Sequence, residues 1–139
     1  MIEYNCRFGD PETQVVLALL ESDLFTVMQA VTEERLSEAE VRFASGAAAC
    51  VILASKGYPL AYEKGFEIAM TEEVRPHLLF AGVREQDGRL FTSGGRVLGV
   101  VGRGETLQKA LALAYERVGA VHFENEFYRR DIGARALEA

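Results

Sequence analysis

A chain of 139 residues, 49% hydrophobic and 26% charged, is long enough for one cored domain and too apolar for extensive disorder. Its formal charge of −6 excludes a broad basic footprint for nucleic acid but leaves room for a local anion pocket. Cys6 and Cys50 stand far apart with no metal-ligand spacing, and the longest apolar run, residues 47–54, is far too short to span a membrane.

The expected class is therefore a reduced, cytoplasmic protein with neither a nucleic acid nor a membrane as partner. The first residues alternate rather than form the apolar run of a signal peptide.

Read as a strand, residues 2–8 put Ile2, Tyr4, Cys6 and Phe8 on one side, and Glu3, Asn5 and Arg7 on the other. In the GDPETQ turn that follows, Asp10 is the expected N-cap, Pro11 the first helical residue, and Glu12 an acid at the positive end of the helix dipole. Val15, Val16, Leu19 and Leu20 continue the helical stripe. Ser22 is the expected cap of a second helix through Leu24, Phe25, Met28 and Val31, ending near Leu36.

The pattern then changes. GAAACVILAS reads as a buried strand, FEIAM as a short one, and LLFAGVRE, RLFTS and RVLGVVG as three more. Asp87-Gly88 gives a hairpin signal between the first two of these, and Gly94-Gly95 separates the next pair. The expectation is an antiparallel, meander-like sheet. Thr106 caps a helix whose Leu107, Ala110, Leu111, Ala114, Tyr115 and Val118 form one apolar face. HFENEFYRRDIG is mixed, and no repeat or low-complexity tract interrupts the chain.

Several positions can carry chemistry. Alternate strand residues lie roughly 6.6 Å apart on one face. Glu3 and Asn5 can thus aim oxygen atoms at one hard cation such as Mg²⁺, with Arg7 beside them for an anionic group. The plainer reading is the solvated side of an ordinary strand, and spacing alone favours it. The plainer reading of Asp10 is likewise a helix cap. In SGGRVLGV, paired glycines allow close backbone approach and Arg96 offers a planar fork to phosphate, although a hairpin turn before a surface arginine explains the same string. His77 and His122 lack a nucleophile motif or a metal-ligand partner, and Cys50 reads as core. Arg129-Arg130-Asp131 is either a surface ion pair or a docking element.

The string EYNCRFGDPETQ resembles the late ATP-grasp segment of the phosphoribosylamine–glycine ligase family, also called glycinamide ribonucleotide synthetase. The resemblance continues in the family's order through SDLFTVMQA, ASKGYP, YEKG, LFAGV, DGRLFTSGGRVLGVVGRGETL, AYERV and FYRRDIGARAL. It covers about the last third of the family's length. It implies an α+β fold in which residues 1–38 end an ATP-grasp domain with a strand and two helices. Residues 39–139 then form a small C-terminal domain with an antiparallel sheet and a packed helix.

The implied activity joins phosphoribosylamine to glycine with ATP and Mg²⁺ (or Mn²⁺), through a glycyl phosphate, in purine biosynthesis. Glu3 and Asn5 match the family's metal-binding acid and amide, and Arg7 a catalytic arginine holding substrate or developing charge. Asp10 and Glu12 match a turn facing the substrate, and Arg96 an arginine meeting the sugar phosphate. The family's N-terminal portion, with the nucleotide-gripping lysines, is missing from the resemblance. The chain alone is therefore expected to be inactive, to hold no cofactor by itself, and to need that portion as a partner. The competing expectation is a non-catalytic α+β module that dimerises or binds a partner through an exposed first strand and helices.

Overall fold

The computed structural model describes residue 2 and residues 6–138, so Glu3 and Asn5, with Tyr4 between them in the expected opening strand, lie outside the described residues. Residues 6–9, the end of that segment, form no strand.

Two short helices follow, α1 (Thr13–Leu19) and α2 (Leu24–Thr32). The cap of α1 is Glu12 rather than Asp10, because the Asp10 carboxylate is engaged by two side chains, Gln14 and Arg96, and is not free to accept from the helix backbone. The cap of α2 is Asp23 rather than Ser22. Asp23 Oδ1 accepts from the Thr26 amide at 2.7 Å and its hydroxyl at 2.8 Å. Ser22 instead donates to the Glu40 carbonyl at 3.1 Å and accepts from the Arg42 amide at 2.7 Å, tying the helix start to the next loop.

The core is built on two nine-residue strands, β1 (Ala47–Ser55) and β6 (Arg96–Gly104), paired antiparallel along their length. Between them come β2 (Ala69–Met70), β3 (Leu78–Phe80), β4 (Val83–Gln86) and β5 (Arg89–Thr92). After them come α3 (Leu107–Val118), β7 (Val121–His122), β8 (Glu126–Phe127) and α4 (Ala134–Leu137). The main sheet has the order β3-β6-β1-β8; β2 pairs with β7, and β4 with β5. Every pairing among the described strands is antiparallel, as expected for this α+β chain, but the sheet is not a meander.

The expected LLFAGVRE strand breaks at Ala81-Gly82, and β6 leaves β5 to pair with β1 and β3. Only Asp87-Gly88 turns a hairpin, with both residues at positive φ (51° and 75°) as a type I′ turn requires.

One face of β1–β6 packs on α3, whose cap Thr106 accepts from the Lys109 amide at 3.2 Å. Val51, Leu53, Val97, Leu98, Val100, Ala110, Ala114 and Phe123 are almost wholly buried there. The helix lies close because Gly102 has no side chain: a Cβ would fall 2.2 Å from the Ala110 carbonyl oxygen. Among the described residues α1 is the helix that packs on the opposite face, and a cavity of about 530 Å³ lies between Gln14, Leu17, Leu79, His77 and Arg103. No helix among the described residues is long and apolar enough to cross a membrane.

Candidate functional site

The face of the sheet under α1 is where the candidate residues converge. The register of β1 against β6 slips between Leu53, opposite Leu98, and Ala54, opposite Arg96. Val97 is thus the extra residue of a bulge, and it is buried in succession with Leu98. Such a bulge re-aims the next side chain, and here it presents Arg96 toward α1. Arg96 donates to Asp10 Oδ2 at 2.9 Å and to the Asp10 carbonyl at 3.2 Å. Gln14 donates to the other carboxylate oxygen at 3.0 Å, while its own Oε1 is buried without a partner among the described residues.

Two cavities flank Arg96. One, of about 310 Å³, runs past Asp10, Gln14, Tyr58 and Phe80; the other, of about 300 Å³, runs past Pro11, Cys50, Tyr58 and Arg129. Tyr58 borders both. Its ring lies so close to Gly95 that a Cβ there would fall 2.1 Å from a ring carbon. Ser55 fixes the same loop from below. It is fully buried, its amide donates to the Gly95 carbonyl at 2.8 Å, and its hydroxyl donates to the Gly94 carbonyl at 3.0 Å. Gly82 closes the third side, its amide donating to the Arg96 carbonyl at 2.9 Å.

Two of the expected site residues are therefore in contact, Asp10 and Arg96. Glu12 folds its carboxylate over Gly9 at the start of α1, and Arg7 is exposed, donating to the neighbouring Phe8 carbonyl at 2.9 Å. Neither touches the Asp10–Arg96 pair. Glu3 and Asn5 lie outside the described residues. Among the described residues no group of three or more His, Cys, Asp or Glu side chains is placed to hold a metal ion.

Cys50 is half-buried in a cavity wall rather than in the core, and burial, helped by the Asp10 charge, pushes its thiol up to about 11. Arg129 grips Asp131 through both oxygens, at 2.9 and 2.6 Å, and lowers that carboxyl below its usual range. Ser55 and Tyr58 were missed by sequence reasoning. Their only signal is the ASKGYP string, which pattern reads as a strand end and a turn.

The family model for phosphoribosylglycinamide synthetase, C domain, matches residues 48–135. A phosphoribosylamine–glycine ligase of Caldanaerobacter subterraneus is 44% identical over 96% of the chain, and one of Chlorobaculum tepidum 48% over 99%. The matches take up 32% and 33% of those two proteins, so the chain spans about a third of the length of the curated relatives it matches. The crystal structure of a Thermotoga maritima phosphoribosylamine–glycine ligase superposes with a TM-score of 0.77 at 44% identity, covering 94% of this chain and 32% of that one. This chain belongs to the phosphoribosylglycinamide synthetase family and carries its C domain.

Proposed function

We propose that the chain is the C-terminal part of a phosphoribosylamine–glycine ligase. Such an enzyme joins 5-phosphoribosylamine and glycine, at the expense of ATP, into glycinamide ribonucleotide, ADP and phosphate in purine biosynthesis. One observation carries this reading: two relatives bearing that name are 44% and 48% identical through 96% and 99% of the chain.

Within this reading, residues 1–38 close an ATP-grasp domain and residues 39–139 form the C-terminal domain. Arg96, held by Asp10 beside two cavities, presents N–H donors to an anionic oxygen of substrate. Asp10 and Glu12 accept from substrate hydroxyl or amine groups, and Arg7 steadies negative charge. Glu3 and Asn5 are oxygen donors of the kind that Mg²⁺ or Mn²⁺ takes. With ATP, that ion would neutralise charge on the phosphoryl oxygens. The remaining nucleotide contacts belong to the part of the ligase outside this sequence.

The test is an assay for ATP- and glycine-dependent product. The purified chain alone is expected to show none, and activity should appear when the rest of the ligase is supplied in trans. Turnover by the chain alone, or no recovery on complementation, sinks the proposal.

A second reading is favoured by α2, whose Phe25, Met28 and Val31 form a row 74%, 48% and 55% exposed. This row is a surface for the rest of the ligase or for a second copy of the chain. Sedimentation at rising concentration separates the two, since only self-association gives a dimer without added partner.

A further inference from the structure

We infer that a separate cleft, formed by Lys64, Arg84 and Ser93, is a binding site for a phosphate monoester. The cleft has a volume of about 220 Å³ and is lined by these three residues with Gly65 and Thr92. It deepens the ligase reading and rests on it for the identity of the sugar, but not for the presence of an anion site.

The first reason is charge. The chain carries six more acidic than basic residues, and the ion pairs found take up Arg35, Arg42, Arg89, Arg96, Lys109 and Arg129. Lys64 and Arg84 have no carboxylate within 4.0 Å among the described residues. The nearby acid Glu67 is already taken by Arg89. Two cations converging on one cleft without a counter-charge repel each other unless an anion joins them.

The second reason is support. The Lys64 ammonium lies 5.4 Å from the Tyr62 ring centre, and the Arg84 guanidinium 5.8 Å from that of Phe91. Ring faces hold cations while leaving their N–H donors unspent. Gly65 stands at a φ of 92°, which favours glycine, and the Arg84 guanidinium lies beside it, 3.9 Å from where a Cβ would be.

Thr92 is fully buried, and its hydroxyl oxygen accepts from the Gly65 and Phe66 amides at 3.0 and 3.1 Å. It thereby locks the segment carrying Lys64 against the strand end carrying Ser93. An ammonium, a guanidinium and a hydroxyl on three different segments suit a tetrahedral dianion better than one flat carboxylate. The loop of residues 93–96 lines this cleft at Ser93 and the Asp10–Arg96 cavities at Arg96. A phosphorylated sugar in the cleft would thus lie beside the candidate substrate site.

Calorimetric titration of the chain with ribose 5-phosphate, inorganic phosphate and ribose tests this. Ribose 5-phosphate is expected to bind most tightly, phosphate more weakly, and ribose not at all. Lys64→Met and Arg84→Met should each weaken ribose 5-phosphate binding about tenfold or more. Lys64→Arg should keep it within a few-fold, and Lys109→Met should leave it unchanged. Both target side chains are exposed, so the variants are expected to melt like the parent. No saturable binding, or equal binding by both Met variants, overturns the site. Phosphate binding more tightly than ribose 5-phosphate overturns the monoester assignment. Failure of the complementation assay with these results intact would reject the ligase reading alone.

Discussion

Arg96 spends two N–H donors on one residue, reaching the Asp10 carboxylate at 2.9 Å and the Asp10 carbonyl at 3.2 Å. The contact ties the turn before α1 to the start of β6. Its side chains are 37% and 61% exposed, so solvent screens the attraction and it contributes about 0.2–1 kcal/mol. Asp10→Asn should lower the unfolding free energy by no more than about 1 kcal/mol. The parent should lose the same increment in high salt while the variant does not. Urea titrations at low and high sodium chloride check both. A much larger loss would mean that Asp10 organises the fold, rather than being available to a ligand.

Ser55, Gly95 and Tyr58 should behave differently, because their contacts are buried or tightly packed. Ser55→Ala removes the hydroxyl that serves the Gly94 carbonyl, at a cost of about 1–3 kcal/mol. Gly95→Ala drives a methyl into the Tyr58 ring, and overpacking of this kind costs about 1–3 kcal/mol. Tyr58→Ala added to Gly95→Ala should recover part of that loss. If the double variant is no more stable than Gly95→Ala alone, the clash is not with the ring.

These residues also mark how far the sequence could be read. The third helix was legible because Thr106 caps it and its apolar residues repeat at helical spacing, both local signals. The two long strands and the Asp87-Gly88 hairpin were legible for the same reason. Strand order was not, because β1 and β6 pair across residues 47–104 and no local pattern records that choice.

Asp10 reads as a cap from its neighbours alone, and its engagement by Arg96 depends on a residue far along the chain. Ser55 looks like the polar end of an apolar run until the Gly94-Gly95 backbone is brought against it. Of the candidate site, residue types were readable and the Asp10–Arg96 contact was not.

The two cysteines should separate in a thiol-labelling experiment. Cys6 is exposed, whereas Cys50 is half-buried with its thiol pushed up to about 11. Near pH 8 only about a thousandth of Cys50 is thiolate, the form that reacts. Labelling with a chromogenic disulfide should therefore show one fast and one slow equivalent. Cys6→Ser should abolish the fast phase and Cys50→Ser the slow one. A single fast phase of two equivalents would contradict the placement of Cys50.

Acid should destabilise the chain in two ranges, each from a group whose folded form resists protonation. Burial first, and then the Arg117 charge, lower His77 below its ordinary 6.5. The unfolded chain then binds the proton more readily, so stability from this group is present above about pH 6.5 and is lost as pH falls below it. The Thr26 amide and hydroxyl lower Asp23 below its ordinary 3.8, and Arg129 does the same to Asp131. Their contribution is present above that value and is lost as pH falls through the lowered one. Unfolding free energy followed by urea titration across this pH range should decline in two steps. His77→Gln should remove the upper step and leave the lower. If the upper step survives in His77→Gln, the proton is being taken up elsewhere.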